Sequence, residues 1–190
     1  MRRAVILLLI AFLITFPILA AEPADLASQA IPVLAALEAG VADTEVKTAT
    51  LGSGIKLQIV GLRDLRAFTG PDVTKVLIDA KTTYFPVYVG KELRSEITVA
   101  TTPRGVEVVE YGRTSLVRQY EKIRGNRTAT FLLHIPALKS FFVAQPVEGG
   151  LTLYPMHNVR QFKMGQGVPA AEVLGELAKI AKTMNDDDPA

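Results

Sequence analysis

The chain has 190 residues, with 21 Lys and Arg against 19 Asp and Glu, and no cysteine. Apolar residues make up 49% and charged residues 21%; a disordered chain would lack that apolar mass, and a disulfide mini-protein, a zinc ribbon or a thiol enzyme would need Cys. The length fits one domain, or at most two small ones.

Residues 1–21 read as a secretory signal peptide. Arg2 and Arg3 form the positive start, residues 4–15 are an unbroken apolar run, Pro17 breaks it, and Ala20 and Ala21 offer small residues for cleavage. There is no lipobox cysteine and no fuller twin-arginine context, so simple export to a bacterial periplasm is expected. The alternative is an uncleaved inner-membrane anchor. The 18 residues from Ala4 to Ala21 fall just short of the roughly 20 that a spanning helix prefers. Membrane contact is expected only through this segment, if it stays uncleaved.

Loss of Arg2 and Arg3 leaves 19 basic and 19 acidic residues. The balance is uneven: residues 48–183 hold 18 bases against 11 acids, while the front is acidic and the end carries Asp186, Asp187 and Asp188. Such asymmetry can steer a charged partner, although charge runs are usually solvated faces. A single α+β domain is expected over 22–183, followed by an acidic disordered tail over 184–190.

Residues 24–39 place Leu26, Ala30, Val33, Leu34 and Leu37 on one helical face, interrupted at Pro32. Residues 46–60 read as a hairpin turning at Gly52-Ser53-Gly54, with Ile55, Leu57 and Ile59 alternating as in a strand. Leu62, Leu65 and Phe68 make a short helical piece. A second helix is expected after Pro71, through Val73, Val76, Leu77 and Ala80.

The remainder reads as two strand–strand–strand–helix units, 70–125 and 126–183. In the first the strands are 85–89, 97–99 and 106–111, and the helix is 114–123. In the second they are 141–143, 151–154 and 159–164, and the helix is 169–180. Gly112 and Gly165 each follow a third strand, where backbone freedom is needed. The helices carry apolar stripes of Leu116, Val117, Tyr120 and Ile123, and of Val173, Leu174, Leu177 and Ile180. Residues 128–135 are a further strand, apolar enough to be central. The expected fold is α+β: antiparallel-rich sheets with helices packed on one face, and possible β-β-β-α repeat units that must pack together.

A helix running into Pro86-Val87-Tyr88-Val89, a Gly-bounded hairpin, an amphipathic helix, and a second unit with Gly149-Gly150-Leu151-Thr152-Leu153 ending in Glu172 to Lys179 form a recognisable order. It resembles the intermembrane-space subunit family of the chloroplast inner-envelope translocon and its cyanobacterial periplasmic relatives, over about residues 70–182. The resemblance implies two pseudo-symmetric halves and a chaperone-like role in protein delivery or outer-membrane assembly. The 46–68 segment and the short link between units depart from the pattern. No functional residue carries over.

The sequence offers little chemistry. His134 lies in a strand context and His157 in a turn; no H-E-x-x-H, Gly-x-Ser-x-Gly or P-loop occurs. Glu107 and Glu110, three apart, are expected on opposite faces of a strand and so unable to act together. Neither a cofactor nor a metal is expected, and the chain reads as a non-enzyme. The densest basic stretch is Arg113, Arg118, Lys122, Arg124 and Arg127, with only Glu121 among them. It is the candidate edge for an anionic partner, set against the ordinary reading of a solvated helix face. Nucleic acid is a poor candidate after export.

The expected role is an exported, non-catalytic, chaperone-like or assembly protein that binds polypeptide or envelope components. The alternative is a carrier of a small or lipid ligand in a cavity lined by Phe85, Phe131, Phe141, Phe142 and Val143, and less favoured is a hydrolase with an unfamiliar site.

Overall fold

The structure, a computed structural model, describes residues 22–34, 42–112 and 114–184. The signal segment, Leu37, the 184–190 tail beyond Met184, and Arg113 therefore lie outside the described residues.

The chain opens with helix α1, Pro23–Ala30, started by its proline, and a 3-10 turn, Ile31–Val33, around Pro32. A single turn, α2, Asp43–Val46, follows. Then come strands β1, Ala49–Leu51, and β2, Ile55–Ile59, and helix α3, Leu62–Ala67. Residues past Pro71 form only a 3-10 turn, Val73–Val76, where a longer helix was expected; Asp72 caps it by accepting from the Thr74 N–H. From Ile78 the chain is strand β3, Ile78–Val89. Its β-branched and aromatic run, Thr82 to Val87, suits a sheet better than a helix.

The first meander continues through β4, Glu92–Thr102, and β5, Gly105–Tyr111, to helix α4, Thr114–Arg124. Gly112, between strand and helix, has φ +91, as its position predicts. The second meander comprises β6, Phe131–Ile135, β7, Ser140–Val147, β8, Gly150–Pro155, and the two-residue β9, Val168–Pro169, before helix α5, Ala170–Ala181. The expected strand over 159–164 is instead a tight turn closed by a lone bridge between Val159 and Phe162.

One mostly antiparallel sheet results, in the order β5-β4-β3-β2-β6-β7-β8-β9, with β1 also on β3. The α+β class stands. The two meanders run outward from a central parallel pair, in which Leu57, Gln58 and Ile59 face Leu132, Leu133 and His134. Each unit thus begins one strand earlier than the sequence periodicity suggests.

The helices do not share one face. Successive residues of a strand point to opposite faces. Leu132 and Val143 pack with Val117, Tyr120 and Ile123 of α4, whereas their neighbours Leu133 and Phe142 pack with Val173, Leu174 and Leu177 of α5. A third cluster joins Ala27, Ala30 and Leu34 to Phe85, Val87, Ile97 and Val99. Phe85 pairs with Ile97 and points away from Tyr84, which belongs to the α4 cluster. So α1 and α5 cover one face of the sheet and α4 the other. A sheet buried on both sides needs apolar residues on both, which is why β6 reads as a continuous run, FLLHI, rather than an alternation.

The supposed hairpin at 46–60 is also different. Both β1 and β2 run antiparallel to β3, with Leu51 facing Val87 and Ile55 facing Tyr84. They are one interrupted strand, and 52–54 inserts one extra residue into it, as a bulge does. The cause lies in β3: Pro86 has no N–H to give this side of the ladder, so a regular pairing cannot pass it. The Gly52 N–H still donates to the Pro86 carbonyl at 2.7 Å.

Candidate functional site

The parallel pair that joins the meanders is short. Toward their starts β2 and β6 splay apart, and the opening is a cleft of about 510 Å³ lined by Gly52, Ser53, Gly54 and Ile55 on one side and Thr128, Ala129 and Thr130 on the other. Ala129 has φ +54, a left-handed turn that carries the 128–130 link away from β2. Tyr88 from β3 and Tyr120, Glu121 and Arg124 from the end of α4 complete the wall. Such a volume lies within the range of roughly 300–1,000 Å³ of ligand pockets.

The bulge shapes this cleft by close approach. A Cβ on Gly52 would stand 2.7 Å from Tyr88 Cε2, and one on Gly54 would stand 2.8 Å from both Phe85 Cε1 and Thr83 Cγ2. Only glycine lets the chain lie this close to the β3 rings.

The charges in the wall cancel. Arg124 donates from Nη2 to Glu121 Oε2, and its Nε is buried with no acceptor among the described residues. The Tyr120 hydroxyl bonds Thr130 Oγ1 at 2.7 Å. Burial pushes the Tyr120 phenol above its ordinary value, against the opposing pull of that bond and of Arg124. Tyr88 is raised too, first by burial and then by the Glu121 carboxylate. Among the described residues the hydroxyls of Ser53, Tyr88 and Thr128 make no hydrogen bond. Among the described residues the cleft is therefore neutral overall, with three unengaged hydroxyls and two aromatic rings in its wall.

The basic residues singled out from the sequence are dispersed. Arg118 and Lys122 are exposed on α4, and Arg118 Nη2 reaches back to the sheet to donate to the Leu93 carbonyl at 3.2 Å. Arg124 turns into the cleft. Arg127 folds back to donate to the Ile123 and Arg124 carbonyls at 2.8 and 3.1 Å, and its guanidinium lies 4.0 Å over the Tyr154 ring. That guanidinium closes the C-terminal end of α4, where a cation is favourable.

The five residues expected round a carrier cavity are parcelled out. Phe85, Phe142 and Val143 are buried in three different core clusters, and Phe131 and Phe141 pack at the edges of two of them. They cannot line a common cavity, because Phe142 and Val143 point to opposite faces of the sheet.

Glu107 and Glu110 do share a face, contrary to their spacing. The ladder slips at Val109: Val108 faces Val99, and Glu110 faces Thr98. Glu107, opposite Ala100, thus lies on the same side as Glu110. Glu107 is engaged by Thr102 and Arg104, and those contacts hold its carboxyl below the usual range. Buried Glu96 lies on this face as well and accepts from Thr98. His134 stacks on Phe141 with ring centroids 3.9 Å apart, and His157 is exposed in the turn after β8. Among the described residues no three His, Asp or Glu side chains gather as a metal site would need.

Sequence reasoning missed the cleft because it took 52–54 for a hairpin end. The signal that could have found it is Pro86 inside an otherwise regular strand, which demands an irregular neighbour. No protein-family model, no curated protein and no solved structure matches this chain.

Proposed function

We propose that this is an exported, non-catalytic protein of the bacterial periplasm that binds polypeptide, acting as a chaperone or assembly factor for envelope proteins. One observation carries the reading: the cleft at the fork of the sheet is charge-balanced and offers donors and acceptors that nothing in the described protein uses. Such a lining suits a neutral, amide-bearing ligand better than an anion or an apolar one. The export segment supports the location. The exposed Arg118 and Lys122 would serve acidic stretches of the same client.

The test is suppression of aggregation. The secreted form, at equimolar ratio, is expected to keep an unfolded outer-membrane precursor in solution, and Ser53→Trp, which fills the cleft from an exposed position, is expected to weaken that effect. Equal aggregation with and without the protein would end the reading.

A further inference from the structure

The way in which the cleft would hold a polypeptide follows from the ladder beside it. In an antiparallel pair, residues alternate between exchanging hydrogen bonds with the partner strand and pointing them away. Gly52 bonds Pro86 of β3, so Thr50, two residues earlier, also faces β3. Ala49 and Leu51 then direct their N–H and C=O groups outward. Among the described residues β1 pairs with β3 alone. On the outward side, β2 is taken up by β6 only from Leu57 onward. Among the described residues the edge from Ala49 to Gly54 is thus a ladder position left open inside the sheet, with the cleft alongside it.

We infer that an extended segment of client polypeptide adds to β1 as an extra strand, entering the fork between 52–54 and 128–130. This rests on the polypeptide-binding reading above and names its mode. Main-chain groups of the client pair with Ala49 and Leu51. Its further amides meet the acceptor Glu121, the donor Arg124, and the hydroxyls of Ser53, Tyr88 and Thr128. A lining that is neutral overall and holds both donors and acceptors matches a peptide backbone, which carries both and no charge. Recognition by strand addition draws affinity from the main chain and little from side chains, as a protein serving many clients requires.

The experiment uses a fluorescein-labelled ten-residue peptide of alternating Val and Thr, titrated with the secreted form and read by anisotropy. N-methylation at alternate residues removes the donors on one edge of the peptide. One of the two alternate sets is expected to weaken binding at least tenfold and the other to leave it within about twofold. On the protein side, Leu51→Pro deletes an outward N–H and no bond to β3. It is expected to lower affinity at least tenfold while the far-ultraviolet circular dichroism stays native. The peptide series needs no protein variant, so it decides even if Leu51→Pro misfolds.

Equal binding of both N-methylated sets would overturn strand addition while leaving polypeptide binding intact. Failure of the wild type to bind this peptide or any unfolded polypeptide would instead overturn the reading beneath it. Tight binding of a neutral oligosaccharide that peptide cannot displace would also count against the proposal, because a sugar would use the hydroxyls without the ladder.

Discussion

Gly52 donates its N–H to the carbonyl of Pro86, and Pro86 has no N–H to return. That one-sided bond sets the bulge, the bulge places two glycines against the β3 rings, and the displaced backbone forms one wall of the cleft. Enlarging either glycine should therefore cost stability and reshape the cleft together. Gly54→Val is expected to lower stability by about 1–3 kcal/mol, the usual cost of overpacking, or about 2–4 °C in Tm for each kcal/mol. Urea unfolding of the variant measures it; an unchanged midpoint would show that the chain does not press on Phe85 and Thr83.

Leu132 and Leu133 are adjacent, fully buried and on opposite faces. Each truncation to Ala is expected to cost about 2–5 kcal/mol. Because they touch different clusters, the double variant should be close to additive, within about 0.5 kcal/mol. Strong coupling between them would mean that the core is one cluster and not several.

Glu45 ties α2 to β4. Its Oε2 accepts from the Ala42 N–H and its carboxylate pairs with Arg94. The backbone bond first, and Arg94 second, hold its carboxyl below the ordinary value of 4.5. A carboxyl lowered by folding contributes stability above its unfolded value and loses it as pH falls through the folded one. Protection of residues 42–46 against hydrogen exchange should thus hold at neutral pH and fade below pH 4.5. Arg94→Ala should move the Glu45 titration upward without restoring it fully, since the Ala42 bond remains. Carbon-detected NMR of the carboxyl reads this, and a titration that Arg94→Ala leaves unmoved would contradict the pairing.

Tyr88 and Tyr120 should ionise late. Burial raises both above the ordinary phenol value of 10.0, and the fold favours their neutral form. The sign is opposite to that of Glu45: stability is present below pH 10 and lost as pH rises through the folded values. Absorbance at alkaline pH should show a late-titrating phenol component, and Tyr88→Phe should remove part of it. A Tyr88→Phe variant that leaves the alkaline titration unchanged would show the cleft to be open to water around the Tyr88 ring.

Local pattern carried much of this fold. Leu62, Leu65 and Phe68 do meet in one cluster, and the stripes of α4 and α5 bury the residues their spacing selects, Val117, Tyr120 and Ile123 on one, Val173, Leu174 and Leu177 on the other. These succeed because an amphipathic helix declares its buried side through its own period. The failures share a different cause. Gly52-Ser53-Gly54 has the composition of a hairpin turn, and only Pro86, 34 positions on from Gly52, makes it a bulge. Glu107 and Glu110 share a face only because Val109 slips out of register with β4. Which face α4 covers depends on how β2 meets β6, and no window of sequence contains both. The candidate cleft was least legible of all. Its groups come from four separate stretches, and each residue alone reads as ordinary loop, strand or helix surface.

The seam between the meanders has a consequence for how the molecule comes together in time. Every antiparallel neighbour in the sheet is joined by a connection a few residues to a few tens of residues long, but Leu57 finds Leu132 across 75 positions. Closing so long a loop gives no reward until it is complete. Each meander should therefore take shape first, and the parallel seam should zip last. On unfolding the order reverses, and the seam parts first. A fluorescent pair spanning Gln58 and Leu133 should report later in refolding than one across the β3–β4 turn. The fork that opens as a cleft is thus the end of the last-formed junction, the part of the sheet that costs least to spread.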